Sequence, residues 1–370
     1  MSNTSLHTHS DERLPVLDGL RGIAVSLVIL FHCAIDGPRY IADASPLWVG
    51  LGWSGVDLFF VLSGFLITRI LLATRDDPGY FKKFYARRVL RIFPLFYLYL
   101  LVFFVLHQGL GGASWMQLTH LSNWYVQGLG DWGPESPSNL TWSLSIEEQY
   151  YLVWPFVVFH LRDNKLKVAC WAMIVGALLV RFSFLAPEAP AIGIYVSTLG
   201  RIDTFALGAL VALSLRAGSL SKTTPVILFG LGALTTAVMI AWQHTFVFSS
   251  MAPGALVLFL SALAVTYACA LAALVRHSQT PLVRKVFENP LLVKLGKHSY
   301  AMYLFHVEVI FGLKWLFEKG PLGFFSQSPA ALAVLAFWLL AFTLTLGLSV
   351  ALWHLLEKRF LSLKKHFAYA

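Results

Sequence analysis

Apolar runs of 19 to 25 residues, divided by polar or Gly/Pro-containing breaks, alternate along almost the whole chain. A helix needs about 20 such residues, at about 1.5 Å each, to cross the roughly 30 Å hydrocarbon core of a bilayer. The pattern predicts ten membrane-spanning helices, at about 14–34, 48–72, 89–107, 140–160, 168–186, 194–215, 225–243, 252–275, 298–317 and 331–355. The expected fold is all-α and polytopic, with an internal polar cavity. Residues 1–13 are expected to form a polar tail, 14–356 one transmembrane domain, and 357–370 a basic, aromatic tail lying on the membrane surface.

Composition agrees. Only 13% of residues are charged and the mean hydropathy is +0.68, whereas soluble domains run at about 25% charged. The Lys and Arg residues are unevenly placed. With the N-terminus in the cytoplasm, 21 of the 28 fall in cytoplasmic segments, and the longest outer loop, 108–139, has none. The positive-inside rule therefore puts both termini in the cytoplasm. Topology accounts for the net charge of +9, so no nucleic-acid partner is expected. The acidic pair Asp11 and Glu12 stands where a signal peptide would be basic, and no cleavable leader is expected. Cys33, Cys170 and Cys269 are odd in number and lie in apolar runs, which predicts neither a disulfide framework nor a metal site.

The chemistry lies in polar groups placed inside apolar runs, where charge costs a few kcal/mol or more per group. In the first span, Arg21 and His32 are eleven residues apart. Eleven steps of about 100° return to one helix face within about 20°, roughly 16 Å further along. A snorkelling anchor accounts equally for Arg21, and hydrogen-bonded packing for His32. Asp57 and Arg69 interrupt the second run, where capping of a helix start accounts equally for Asp57. Arg88 and Arg91, three apart in YARRVLRIFP, share a face beside Lys82, Lys83 and Arg87, a fork suited to phosphate. In WSLSIEEQYYLVWP, Ser145 to Glu148 fits a capping box, which explains Glu148 and leaves Glu147 without a role. Asn139-Leu-Thr141 fits a glycosylation acceptor, set aside without a eukaryotic secretory host. Arg201 and Asp203, two apart, cannot face each other and need partners on other helices or a cavity. Tyr303 and His306 stand at i, i+3. Trp115, Trp124 and Trp132 in the outer loop fit either an interfacial belt or a platform for a sugar or lipid.

Taken in order, LDGLRGIA with FH, GVDLFFVLSGFLIT, YARRVLRIFP, WSLSIEEQYYLVWP, GRIDTFALGA and SYAMYLFH resemble the bacterial acyltransferase family 3 of integral membrane proteins, over about residues 14–360. The resemblance implies a ten-span enzyme that moves an acyl group, often acetyl from cytoplasmic acetyl-CoA, to a hydroxyl of a cell-surface or lipid-linked glycan. It places the family's Arg/Lys-x10-His motif on Arg21 and His32, its RxxR motif on Arg88 and Arg91, and its glutamate on Glu147, with Glu148 the alternative register. Some members carry a fused esterase-like domain, which is not expected within these 370 residues.

On this reading His32 is the general base, with an unperturbed pKa of about 6.5. Glu147 orients its imidazole, Arg88 and Arg91 grip the donor's phosphates, and Arg21 continues the cationic track. A covalent acyl-histidine is the alternative route. HCAID has three residues between His32 and Asp36, so it does not make an H-x4-D dyad. The rival readings are acylation of a small acceptor such as a macrolide, and a transporter using the same polar residues as a pathway. Paired repeats and broken helices would mark the transporter, and the sequence displays neither.

Overall fold

A computed structural model describes residues 14–110, 114–133, 140–185, 190–243 and 251–369; the N-terminal tail, Pro134, Pro137 and Asn139 lie outside the described residues. Every regular element among these residues is a helix. Ten are long: α1 (Pro15–Ile35), α2 (Gly55–Ala73), α3 (Tyr80–His107), α4 (Trp142–His160), α5 (Asp163–Ser183), α6 (Thr198–Arg216), α7 (Thr224–Gln243), α8 (Pro253–Arg276), α9 (Pro290–Glu318) and α10 (Ala330–Leu352). They match the ten predicted spans one for one. Nine segments among the described residues are long and apolar enough to cross a membrane. The remaining helix, α4, is as long as α2, but its first half carries Glu147, Glu148 and Gln149.

The helix ends follow local chemistry that hydropathy does not register. Pro290 at the first position of α9, with the Asn289 side chain accepting from the Leu291 amide at 3.0 Å, starts that helix eight residues before its apolar run. α3 begins at Tyr80, just after Gly79 at φ +87°, and so includes the whole basic stretch. The second and sixth predicted runs are each broken near one end. A 3-10 segment, Leu47–Ser54, precedes α2, and a short helix, Ala191–Val196, stops at Ser197, whose hydroxyl caps α6 by accepting from the Gly200 amide at 3.2 Å.

Helices α1, α2, α6, α8 and α9 bury more than half of their apolar windows, while α5, α7 and α10 stay mostly exposed at the periphery. Leu101, Leu179, Leu231 and Leu339 project outward, as lipid-facing side chains do. At the centre, α1 runs parallel to α9: Gly22 meets Leu292 at one end, and the His32 and His306 rings lie 4.7 Å apart near the other. α2 runs parallel to α6, joined by Asp57 and Arg201 at their starts and by Arg216 to the Leu72 carbonyl at 2.7 Å near their ends. α4 runs antiparallel to α3, with Tyr80 and Tyr85 donating to the Pro155 and Leu152 carbonyls. These directions are what ten alternating crossings require.

Close approach of α2 and α6 depends on glycine. A Cβ on Gly64 would lie 2.1 Å from the Phe205 carbonyl oxygen, and one on Gly208 would lie 2.1 Å from that of Val61. Small residues let membrane helices pack backbone to backbone. Gly64→Ala is expected to lower stability by about 1–3 kcal/mol through overpacking, read as a fall in the unfolding temperature of the purified protein. An unchanged value would show that the helices separate freely there.

Candidate active site

The start of α3 is amphipathic, and its charged face turns inward rather than toward lipid. Arg87, Arg88 and Arg91 line a cavity of about 250 Å³ with Arg21 of α1, and Lys364 beyond α10 adds a fifth cation. Among the described residues, Glu147 is the one carboxylate in its wall. Its Oε1 accepts from the Ser63 and Tyr151 hydroxyls. The Tyr151 ring in turn carries the Arg88 guanidinium 4.4 Å from its centroid. A cation over an aromatic face, with that ring's hydroxyl held by a carboxylate, fixes the direction in which the guanidinium points. Five cations around one carboxylate give this cavity a net positive lining, which can hold an anion with more than one negative charge.

The tail also contributes to this cavity. Beyond α10 the chain passes through a π-helical turn, Trp353–Glu357, and a short helix, Lys358–Ser362. It then folds against α3, where Arg87 donates to the Phe367 carbonyl at 3.4 Å and lies 5.0 Å from the Tyr369 ring centre. Lys364 and Tyr369 both line the cavity.

A second cavity, of about 290 Å³, opens near the opposite end of α1. His32 lines it with Trp53, Trp132, Trp142 and Tyr195, so the tryptophan at 132 belongs to the site while those at 115 and 124 lie exposed on the surface. The His32 Nδ1 lies 2.9 Å from the Val28 carbonyl oxygen. A carbonyl only accepts, so Nδ1 carries the proton and Nε2 is left as the basic nitrogen. The His306 ring stands edge-on behind it, with its own Nδ1 2.7 Å from the Tyr303 carbonyl. Asp36 lines the same cavity one helical turn beyond His32. Burial pushes its carboxyl above the ordinary value, against the opposing pull of His32 and Lys314. Sequence reasoning set Asp36 aside as a failed dyad, although i, i+4 spacing on a helix was the signal that it shares a face with His32.

Val56 and Tyr303 line both cavities and form the wall between them. The first turn of α4 belongs to the same wall, with Trp142 facing the second cavity and Ser143 the first. Tyr303 and Ser143 are hydrogen-bonded through their hydroxyls.

The other sequence-predicted residues divide clearly. The structure does not bring Glu147 to His32: the carboxylate is engaged in the arginine cavity, and the imidazole is oriented by Val28. The capping box also gives way, because α4 begins at Trp142 and Ser145 lies inside the helix, bonding to the Thr141 carbonyl. Glu148 is half-buried within electrostatic reach of Arg88 and lines neither cavity, and neither does half-buried Arg69. Asp57 and Arg201 form a fully buried ion pair rather than a helix cap or a cavity lining. Asp203 pairs with Arg181 at 2.6 Å, and Arg181 also donates to the Gly200 carbonyl and Ser261. Arg181, which the sequence analysis did not single out, is buried. Its signal was the unmatched Asp203.

A bundle of long apolar helices with an arginine-lined cavity on one side of a shared wall and a histidine on the other has a geometry that suits group transfer. The family model described as an acyltransferase domain matches residues 14–354, and the chain belongs to that family, acyltransferase family 3. It is 29% identical over 331 residues to the peptidoglycan O-acetyltransferase OatA of Listeria monocytogenes, covering 82% of this chain and 50% of that protein. It is 28% identical over 330 residues to a Staphylococcus aureus protein provisionally named an O-acetyltransferase, covering 80% of this chain and 50% of the relative. A Bacillus subtilis protein provisionally named a peptidoglycan O-acetyltransferase is 36% identical over 184 residues, 45% of this chain and 27% of the relative. The chain thus spans about half the length of the first two. No solved structure shows a significant match.

Proposed function

We propose that this protein is an O-acyltransferase that takes an acyl group, acetyl in the first instance, from acyl-CoA and places it on a hydroxyl of a cell-surface or lipid-linked glycan. One observation carries the proposal: His32, with Nε2 as its basic nitrogen, lines an aromatic-walled cavity whose wall is shared with a cavity lined by Arg21, Arg88 and Arg91. The Lys/Arg distribution supports the cytoplasm, where acyl-CoA is made, as the side of the arginine cavity. The names of the relatives support acetyl as the group and peptidoglycan as one glycan to test.

The donor's phosphates sit among Arg87, Arg88, Arg91 and Lys364, and its thioester points along Arg21 toward the wall. The acceptor's sugar ring packs on Trp132 and Trp142, since the apolar face of a sugar suits an aromatic plane while its hydroxyls need polar partners. His32 Nε2 takes the hydroxyl proton as the oxygen attacks the thioester carbon. The C–S bond breaks as the ester C–O bond forms, and the thiolate sulfur takes a proton back, leaving the imidazole neutral. Glu147 acts through Tyr151 as a positioning residue for Arg88.

The donor half of this proposal is tested at Arg88. Removing one partner of a charge-assisted phosphate contact costs about 1.5–3 kcal/mol, so Arg88→Ala is expected to raise the KM for acetyl-CoA about tenfold or more. Donor dependence equal to wild type in a transfer assay would return Arg88 to a topological role.

A further inference from the structure

On the acyl-transfer reading, a group bound in one cavity must reach an atom in the other. Among the described residues, Val56 and Tyr303 alone line both. Neither can easily retreat. Val56 sits on the first turn of α2, between Gly55 and Asp57. A Cβ on Gly55 would lie 2.4 Å from the Ala24 carbonyl oxygen, so α1 already touches α2 backbone to backbone there. Asp57 is fastened to Arg201 of α6. Across the gap, the Tyr303 hydroxyl is tied to Ser143 and lies 3.3 Å from the Leu140 carbonyl, and its ring lies 6.4 Å from Phe59. Val56 and Tyr303 are each 6% exposed. The side chains around the gap, Phe59 and Phe60 on the arginine side and Val28 and Phe31 on the histidine side, are apolar. Such a passage suits a neutral acyl chain and turns back phosphates.

We infer that the acyl group crosses between Val56 and Tyr303, and that the side-chain volume at position 56 sets the length of acyl chain transferred. The inference rests on the acyl-transfer reading above and names the residue that selects among donors. A rigid gap discriminates by steric fit, and one methylene in an apolar site changes relative rates by about 10–200-fold. Val56→Ala removes two carbon atoms from the wall, the number by which butyryl exceeds acetyl. Val56→Leu adds one.

The test uses the full chain purified in detergent, with acetyl-, propionyl- and butyryl-CoA as donors and a soluble glycan acceptor, product being read by mass spectrometry. Val56→Ala is expected to raise the butyryl-to-acetyl rate ratio about tenfold or more. Val56→Leu is expected to lower acetyl transfer about tenfold while coenzyme A still raises its unfolding temperature as in wild type, which separates a closed gap from a misfolded protein. A Val56→Ala ratio equal to wild type, or full acetyl transfer by Val56→Leu, overturns the role of this gap and leaves the acyl-transfer reading standing. Wild-type protein that transfers from none of the three donors overturns both.

Discussion

His32→Ala is expected to reduce acyl transfer by about 10²–10⁴-fold, the usual contribution of a positioned general base. That loss corresponds to about 3–5 kcal/mol of barrier at 1.36 kcal/mol per factor of ten. The expectation rests on tautomer and position together. The Val28 carbonyl, 2.9 Å from Nδ1, holds the proton on that nitrogen and leaves Nε2 to accept one from an alcohol. His306 backs the ring edge-on at 4.7 Å. The substitution should spare the fold, because the side chain lines a cavity and its loss enlarges space that is already there. It should also spare donor binding, because the cations lie across the wall. The measurement is single-turnover transfer from labelled acetyl-CoA, with coenzyme A binding and membrane insertion as controls. Retained turnover would remove His32 from the mechanism.

The second large effect is on stability. Arg201→Ala is expected to cost about 3–5 kcal/mol, because it leaves the Asp57 carboxylate buried without its counter-ion. Both side chains are 0% exposed, and the guanidinium also lies 5.1 Å from the Tyr195 ring centre and 5.8 Å from that of Phe60. The pair fixes the starts of α2 and α6 and so positions Val56 in the wall. Removing both charges in Asp57→Leu with Arg201→Leu should recover much of the loss, since a buried pair owes little of its worth to the charges themselves. Thermal unfolding of the two singles and the double measures the coupling. A single Arg201→Ala variant as stable as wild type would show that the pair is not what joins these helices.

The ten long helices and the family were readable along the chain. Apolar length against bilayer thickness is a local property, and so is the order of short motifs such as YARRVLRIFP and WSLSIEEQ. That Arg88 and Arg91 face one cavity was readable too, because residues three apart on a helix share a face wherever the helix goes. The relation between helices was not. Glu147 was taken as the partner of His32 on chemical type alone, and packing instead set it beside Ser63 and Tyr151 on the arginine side. Arg181 with Asp203, Arg201 with Asp57, and Arg87 with the Phe367 carbonyl of the tail all meet across different elements. No local pattern records which helix will be the neighbour, because that depends on close backbone contacts such as those at Gly64 and Gly208. A polar residue in a membrane helix announces that it needs a partner; which partner it finds, and on which side of Val56 and Tyr303 it stands, follows from how the helices pack.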